Sequence, residues 1–265
     1  MTEEPHRWVE AVANRREYIE TQLAGGSPIV AISAARGILL LTYGRDRQKL
    51  FEIYDRIAMG GIGHPGDLER LRLSAIEMAS QEGFTRSPAD VSLQRLALFA
   101  LSPALKSAFE QIFSPPYLAR LLFAEVGAEQ EADVFIALDY DGSVAASGLP
   151  PHRPSRHFAV LAGSVPAREA MRTFLSERAG SALDEATALA LALEAWAIGR
   201  MTTETAEPPE LALVHERFTE LTTDLQPEAA WLDRQLLAEP PLPFSAYRAF
   251  TEAGNAWPQW AGASL

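Results

Sequence analysis

Lys49 heads the stretch KLFEIYDRIAMGGIG, which passes through Tyr54-Asp55-Arg56 and ends in the small residues Gly60, Gly61 and Gly63, with His64 next. A lysine in that place has three readings: ordinary surface charge, a catalytic lysine, or a cation that waits for a partner. The small residues have a plain role in any case, since they let a following helix pack close to a sheet. Five histidines are present, His6, His64, His152, His157 and His215. His152 and His157 stand in a proline-containing loop beside arginines, a setting of solvated histidines and not of metal ligands. There is no cysteine, no glycine-rich phosphate loop, no GxSxG and no HExxH. No metal and no cofactor are expected.

Composition narrows the partners. The chain has 265 residues, 48% of them hydrophobic, enough for one sizeable core. Its net charge of -12 repels phosphate backbones and anionic lipid, so neither nucleic acid nor membrane is an expected partner. The opening MTEEPHRWVEAVANRREY is charged and lacks the apolar core of a signal peptide, and no apolar run reaches the length of a membrane span. A soluble cytoplasmic protein is the expectation.

The elements that must position Lys49 follow from the apolar pattern. Residues 3–24 read as a helix, with Pro5 in the first turn and Trp8, Val12, Ile19 and Leu23 near one face, stopped by Gly25-Gly26. PIVAIS (28–33) and GILLLTY (37–43) are too short for ordinary helices and read as a buried hairpin, and 49–54 with 57–62 as a second strand pair. His64-Pro65-Gly66-Asp67 opens a helix that Gly83 ends. A second helical run spans 88–113, and Pro103 should kink or split it. Strands follow at 118–126, 133–141 and 158–163, with Asp141-Gly142 as a hairpin turn and PPHRPS (150–155) as a loop. Helices are expected at 166–178 and 184–201, a last strand pair at 210–222, and a short helix at 227–238. Hairpins dominate over crossovers. That order predicts an α+β protein, two antiparallel sheets stacked between two helical layers, which explains why the strands are almost continuously apolar.

The order of five segments carries a resemblance. GGSPIVAISAARGILLLTYGR, QKLFEIYDRIAMGGIG, YLARLLFAEVG with DVFIALDYDGSV, AVLAGSVPAREAMRTFLSER, and PPELALVHERFTELT together resemble the 20S proteasome subunits, specifically the α type with the short bacterial N-terminus. The likeness covers about residues 17–235. It implies the four-layer αββα sandwich of the N-terminal-nucleophile hydrolases, and fold alone does not settle function. The chain then divides into an N-terminal gate segment and helix (1–24), the αββα domain (25–238) and a C-terminal tail (239–265) with no assigned counterpart.

A catalytic β-type relative would need a freed N-terminal nucleophile, an aspartate in the second strand and a lysine where Lys49 stands. Gly26-Ser27 could be a processing point and Lys49 matches, but Ser27 precedes Pro28, the segment before it reads as an ordered helix, and the aspartate position falls on or near Tyr43. Asp46 would substitute only by a shift of register. The resemblance therefore implies a non-catalytic α-type subunit, with a protease using Ser27 and Lys49 as the alternative.

For an α-type subunit the resemblance implies a heptameric ring of identical chains stacked on proteolytic β-type subunits, docked by an AAA+ ATPase activator ring, with protein substrates in transit. Lys49 would receive an activator's C-terminal carboxylate in a pocket between subunits, with Gly26, Gly63 and His64 lining it. The pore gate would be the first residues, Thr2, Glu3 and Glu4, whose like charges meet near a shared axis.

Overall fold

The computed structural model describes residues 4–147, 157–237, 245–249 and 258–261. Its first helix, α1 (Glu4–Leu23), is followed by four strands in two hairpins, β1 (Ile29–Ser33) with β2 (Gly37–Gly44) and β3 (Leu50–Tyr54) with β4 (Ile57–Gly63). Helix α2 spans Pro65–Thr85, capped by His64, whose Nδ1 accepts from the Gly66 amide at 3.2 Å, with Pro65 in the first turn. A broken helical run then comprises α3 (Leu93–Arg95), a π-helical turn (Leu96–Leu101) and α4 (Ser102–Glu110). Strands β5 (Ala119–Glu125), β6 (Val134–Leu138), β7 (Val144–Ser147) and β8 (Phe158–Leu161) lead to helices α5 (Val165–Arg178), α6 (Glu185–Thr205) and α7 (Leu211–Thr222). Strands β9 (Gln226–Asp233) and β10 (Tyr247–Ala249) close the order.

The strands form two antiparallel five-stranded sheets, β10-β9-β2-β1-β8 and β3-β4-β5-β6-β7. Alternation along each strand sends side chains to two different cores. Ile29, Ala31, Ile38 and Leu40 face the other sheet, where they meet Leu50, Ala58, Leu122 and Ala124. Their neighbours Val30, Ile32, Leu39 and Leu41 face α5, α6 and α7, with Trp196 and Phe218. On the far side Met59, Leu121 and Phe123 pack under α2 and α4 through Leu71, Ala75 and Leu105. Three apolar layers between four structural layers are the expected αββα sandwich, and both faces of each sheet are dry.

Helix α1 sits at one end of the sandwich. Ile19 and Leu23 are fully buried in the core between the sheets, worth about 3–6 kcal/mol together at typical side-chain values. The N-terminal part of that face differs from the sequence pattern: Trp8 is 51% exposed, beside exposed Val9 and Tyr18, and contact with the core begins at Val12.

Four other expectations are corrected. Residues 210–222 are helix α7 and not a strand pair; Leu211, Val214, Phe218 and Leu221 recur at helical spacing and face one core. Residues 226–233 are strand β9 and not a helix, with Ala229 and Trp231 to the helical layer and Leu232 to the other sheet. Gly83 does not end α2; it lies buried in the last turn, where a Cβ would strike the Tyr54 hydroxyl. The second helical run is not continuous over 88–113 but a short 3-10 turn at 88–90 and helical segments from 93 to 110, split as Pro103 requires: Pro103 has no N–H for the Phe99 carbonyl, and the chain widens into the π turn, in which the Ser102 amide donates to Ala97 O. The loop 150–155, with His152, lies outside the described residues.

Candidate functional site

Strand β3 starts where two sheets and the end of α1 converge. The backbone of Lys49 there accepts from the Gly61 amide at 3.0 Å, while its side chain turns into the end of the space between the sheets. Its ammonium donates to Ser27 O at 2.8 Å and to Thr42 Oγ1 at 3.3 Å. Thr42 faces inward because it pairs with Ile29, a residue of the inter-sheet core. Its neighbour Tyr43 faces the helical layer, against Trp196 at 4.4 Å between ring centroids. The residue of β2 that meets Lys49 is therefore Thr42.

Burial pulls Lys49 from 10.5 down to about 8, with the charge of Glu228 acting in the other direction. Glu228 stands on β9 directly opposite Thr42. Its Oε1 accepts from the Leu50 amide at 2.8 Å and the Lys49 amide at 3.1 Å, and Oε2 accepts from the Lys49 amide at 2.9 Å. The carboxylate thus ties the first sheet to the start of β3. Burial also raises Glu228 above the usual carboxylate value, against those amide bonds and the Lys49 charge. Among the described residues no carboxylate comes within ion-pair distance of the Lys49 ammonium.

Gly26 belongs to the same corner. A Cβ there would run into the side chain of Ile62, so only glycine lets the chain leave α1 and deliver the Ser27 carbonyl to Lys49. Gly63 follows Ile62 and has φ +145°, and a Cβ would strike the Leu118 carbonyl. His64 is exposed and engaged as the cap of α2, and no hydrogen bond or ion pair joins it to Lys49. The structure brings Gly26 and Lys49 together, while Gly63 and His64 occupy the adjoining corner. Thr2 and Glu3 lie outside the described residues, as does the side chain of Glu4.

Sequence reasoning missed Glu228. Reading 227–238 as a helix hid the period-two pattern in PEAAWLD that places Glu228, Ala230 and Leu232 on one face. It also missed Arg120, the basic residue in a strand that is apolar from Leu121 to Ala124. This guanidinium is 1% exposed and uses every donor: Nε to Asp139 at 2.9 Å, one nitrogen to the carbonyls of Gly163 at 2.6 Å and Ala162 at 3.4 Å, and the other to both oxygens of Glu20 at 2.7 Å. Tyr140 donates to the same Glu20 carboxylate at 2.7 Å. Burial works to raise Glu20, but the bonds from Tyr140 and Arg120 and the Arg120 charge hold it below the usual value. The cluster fixes α1 to the sandwich, and Arg15 adds bonds to Ala108 O at 2.9 Å and Ser114 O at 2.7 Å.

Ser27 has no arrangement for nucleophilic catalysis. It continues the chain from α1, its hydroxyl donates to Tyr43 O at 2.7 Å, and it accepts from Trp196 Nε1 at 3.1 Å. The hydroxyl is spent on holding α6 against β2, giving its proton to a backbone carbonyl and not to a base. The class defined by fold and site is thus a four-layer αββα sandwich with a half-buried lysine at one end and a serine hydroxyl engaged in packing.

No family model matches the chain. Curated relatives do. A protein named proteasome subunit alpha from Streptomyces griseus is 32% identical over 188 residues, 70% of this chain and 65% of that protein, just under two thirds of its length. The protein of that name from Kineococcus radiotolerans is 32% identical over 188 residues, 70% of this chain and 74% of its own. That from a Nocardioides species is 30% identical over 187 residues, 69% of each chain. The chain belongs to the proteasome α-subunit family. It is a non-catalytic subunit, which corrects the alternative of a Ser27 protease.

No described helix is long and apolar enough to cross a membrane.

Proposed function

We propose that this chain forms the outer, heptameric α ring of a proteasome core, stacked on a ring of proteolytic β-type subunits, and that it gates substrate passage and docks an ATPase activator ring. The observation that carries the docking reading is the Lys49 ammonium. It is half-buried, hydrogen-bonded among the described residues only to neutral oxygens, and has no carboxylate paired to it there. A C-terminal carboxylate is the partner such a cation lacks, and the pair is strong when partly desolvated. Gly26 sets the approach, and Gly63 and His64 form the adjoining wall of the pocket in this reading. The exposed Trp8, Val9 and Tyr18 on α1 are the apolar surface a neighbouring copy would cover in the ring. Thr2, Glu3 and Glu4, at the head of the helix that Arg120 and Arg15 anchor, would be the gate.

The test is co-expression with the β-type subunit and the ATPase of the same organism. A particle with sevenfold rings by electron microscopy, and ATPase-stimulated degradation of an unfolded protein that Lys49→Ala abolishes without dissolving the particle, is the expected result. Full stimulation in Lys49→Ala particles would overturn the docking role. Deletion of residues 2–4 should raise unstimulated peptide hydrolysis if they form the gate.

A further inference from the structure

An ammonium has three donors, and Lys49 uses two of them, on Ser27 O and Thr42 Oγ1. One N–H has no partner among the described residues and is left for an incoming oxygen. What keeps it available is the neighbouring acid. Glu228 is the carboxylate whose charge acts on Lys49, yet both its oxygens are occupied by the amides of Lys49 and Leu50. A carboxylate so engaged cannot swing onto the ammonium and close an ion pair. It holds the head of β3, and with it the lysine, against β9, the strand next to β2.

We propose that Glu228 is the positioning residue of the Lys49 site: it fixes the start of β3 through two backbone amides and supplies the negative charge that keeps the ammonium protonated while leaving one of its donors open to a peptide carboxylate. The last part rests on the docking reading above; the rest concerns this chain alone. Other titratable groups around the pair are Tyr43 on β2, which faces the opposite side of its strand, and Tyr247 on β10, whose hydroxyl donates to Leu50 O at 3.4 Å. Burial moves both phenols upward, so both stay neutral through the range of interest and Glu228 remains the group that sets the local field.

Two substitutions separate geometry from charge. Glu228→Gln keeps an oxygen that can accept from Leu50 and Lys49 but removes the charge, whereas Glu228→Ala removes both. The chain has only two lysines, Lys49 and Lys106. In a Lys106→Arg background, 13C-lysine labelling of the full-length chain therefore leaves one lysine side chain to follow by NMR. The native background should titrate near pH 8. Glu228→Gln should lower that midpoint by about one unit, the effect of removing one nearby opposite charge, with the melting temperature close to native. Glu228→Ala should lower both the midpoint and the melting temperature. An unmoved midpoint in both variants would overturn the role of Glu228, and so would equal losses of melting temperature in Gln and Ala with no titration change, which is a merely structural clamp. Acetyl-tetraalanine, as free acid and as amide, then probes the open donor. A Lys49 resonance shifted by the acid and not by the amide supports the docking part, and one that ignores both overturns it while the midpoints still decide the positioning of Lys49.

Discussion

Arg120, fully buried, and Lys49, half-buried, are cations at the same end of the sandwich, on either side of Ile62, which pairs with Arg120 and packs against Gly26. They differ in how their donors are used. Arg120 spends all of its donors on Glu20, Asp139 and two carbonyls, and α1 is held by the result. Lys49 has two neutral oxygens and no ion-paired carboxylate among the described residues, and burial depresses it. A closed network is an anchor. A charge kept half-satisfied opposes folding, which fits the docking role proposed above.

The largest effect should come from breaking the anchor. Arg120→Ala leaves Glu20 without its ion-pair partner and Asp139 with only the longer pair to Arg168 at 3.9 Å, and should cost about 3–5 kcal/mol, the usual penalty for halving a buried ion pair, read from urea denaturation of the full-length chain. A loss below about 1 kcal/mol would show that the guanidinium is a passive guest.

Lys49→Met sharpens the contrast because its sign is opposite. Exchanging a half-buried ammonium with no ion-paired carboxylate among the described residues for an apolar chain of similar shape should leave stability at pH 7 unchanged or raise it by about 1–2 kcal/mol, while activator-stimulated proteolysis is lost. A strongly destabilised Lys49→Met would make the lysine structural, like Arg120.

The two sites also respond to pH at opposite ends of the scale. Lys49 titrates near 8 in the folded chain against 10.5 ordinarily, so between those values the unfolded chain binds more protons and stability rises with pH. That rise should vanish in Lys49→Met. Glu20 is depressed when folded, so its contribution is present above its ordinary 4.5 and is lost as pH falls through the lower folded value. Denaturation midpoints across both windows, in native and Glu20→Gln chains, check the signs.

The smallest effect belongs to an exposed pair. Arg217 and Glu220 on α7 meet at 3.1 Å in solvent, and Arg217→Ala should not move the melting temperature measurably. A clear shift would mean that α7 is covered in the assembled particle.

Much of this architecture was legible along the chain. Period-two and continuous apolar runs marked the two hairpins and β5 through β8, and Pro65, Gly142 and the apolar stripe of α2 marked their connections. Those signals are local, set by backbone sterics and by which face of an element must be dry. Lys49 and Gly26 were also visible, as an isolated cation and a glycine at a helix stop. Their partners were not. Glu228 reaches Lys49 across 179 residues, Glu20 reaches Arg120 across 100, and Trp196 reaches Ser27 across 169. Residues 210–233 were misread for a related reason, since a short amphipathic stretch fits strand or helix until the sheet it packs on is known. Sequence alone determined the layers, the apolar faces and the lysine that stands out of pattern. Which carboxylates meet which cations, and so why one cation anchors and the other stays open, was decided only when the two sheets closed on each other, because charge pairing acts through space and burial sets its strength.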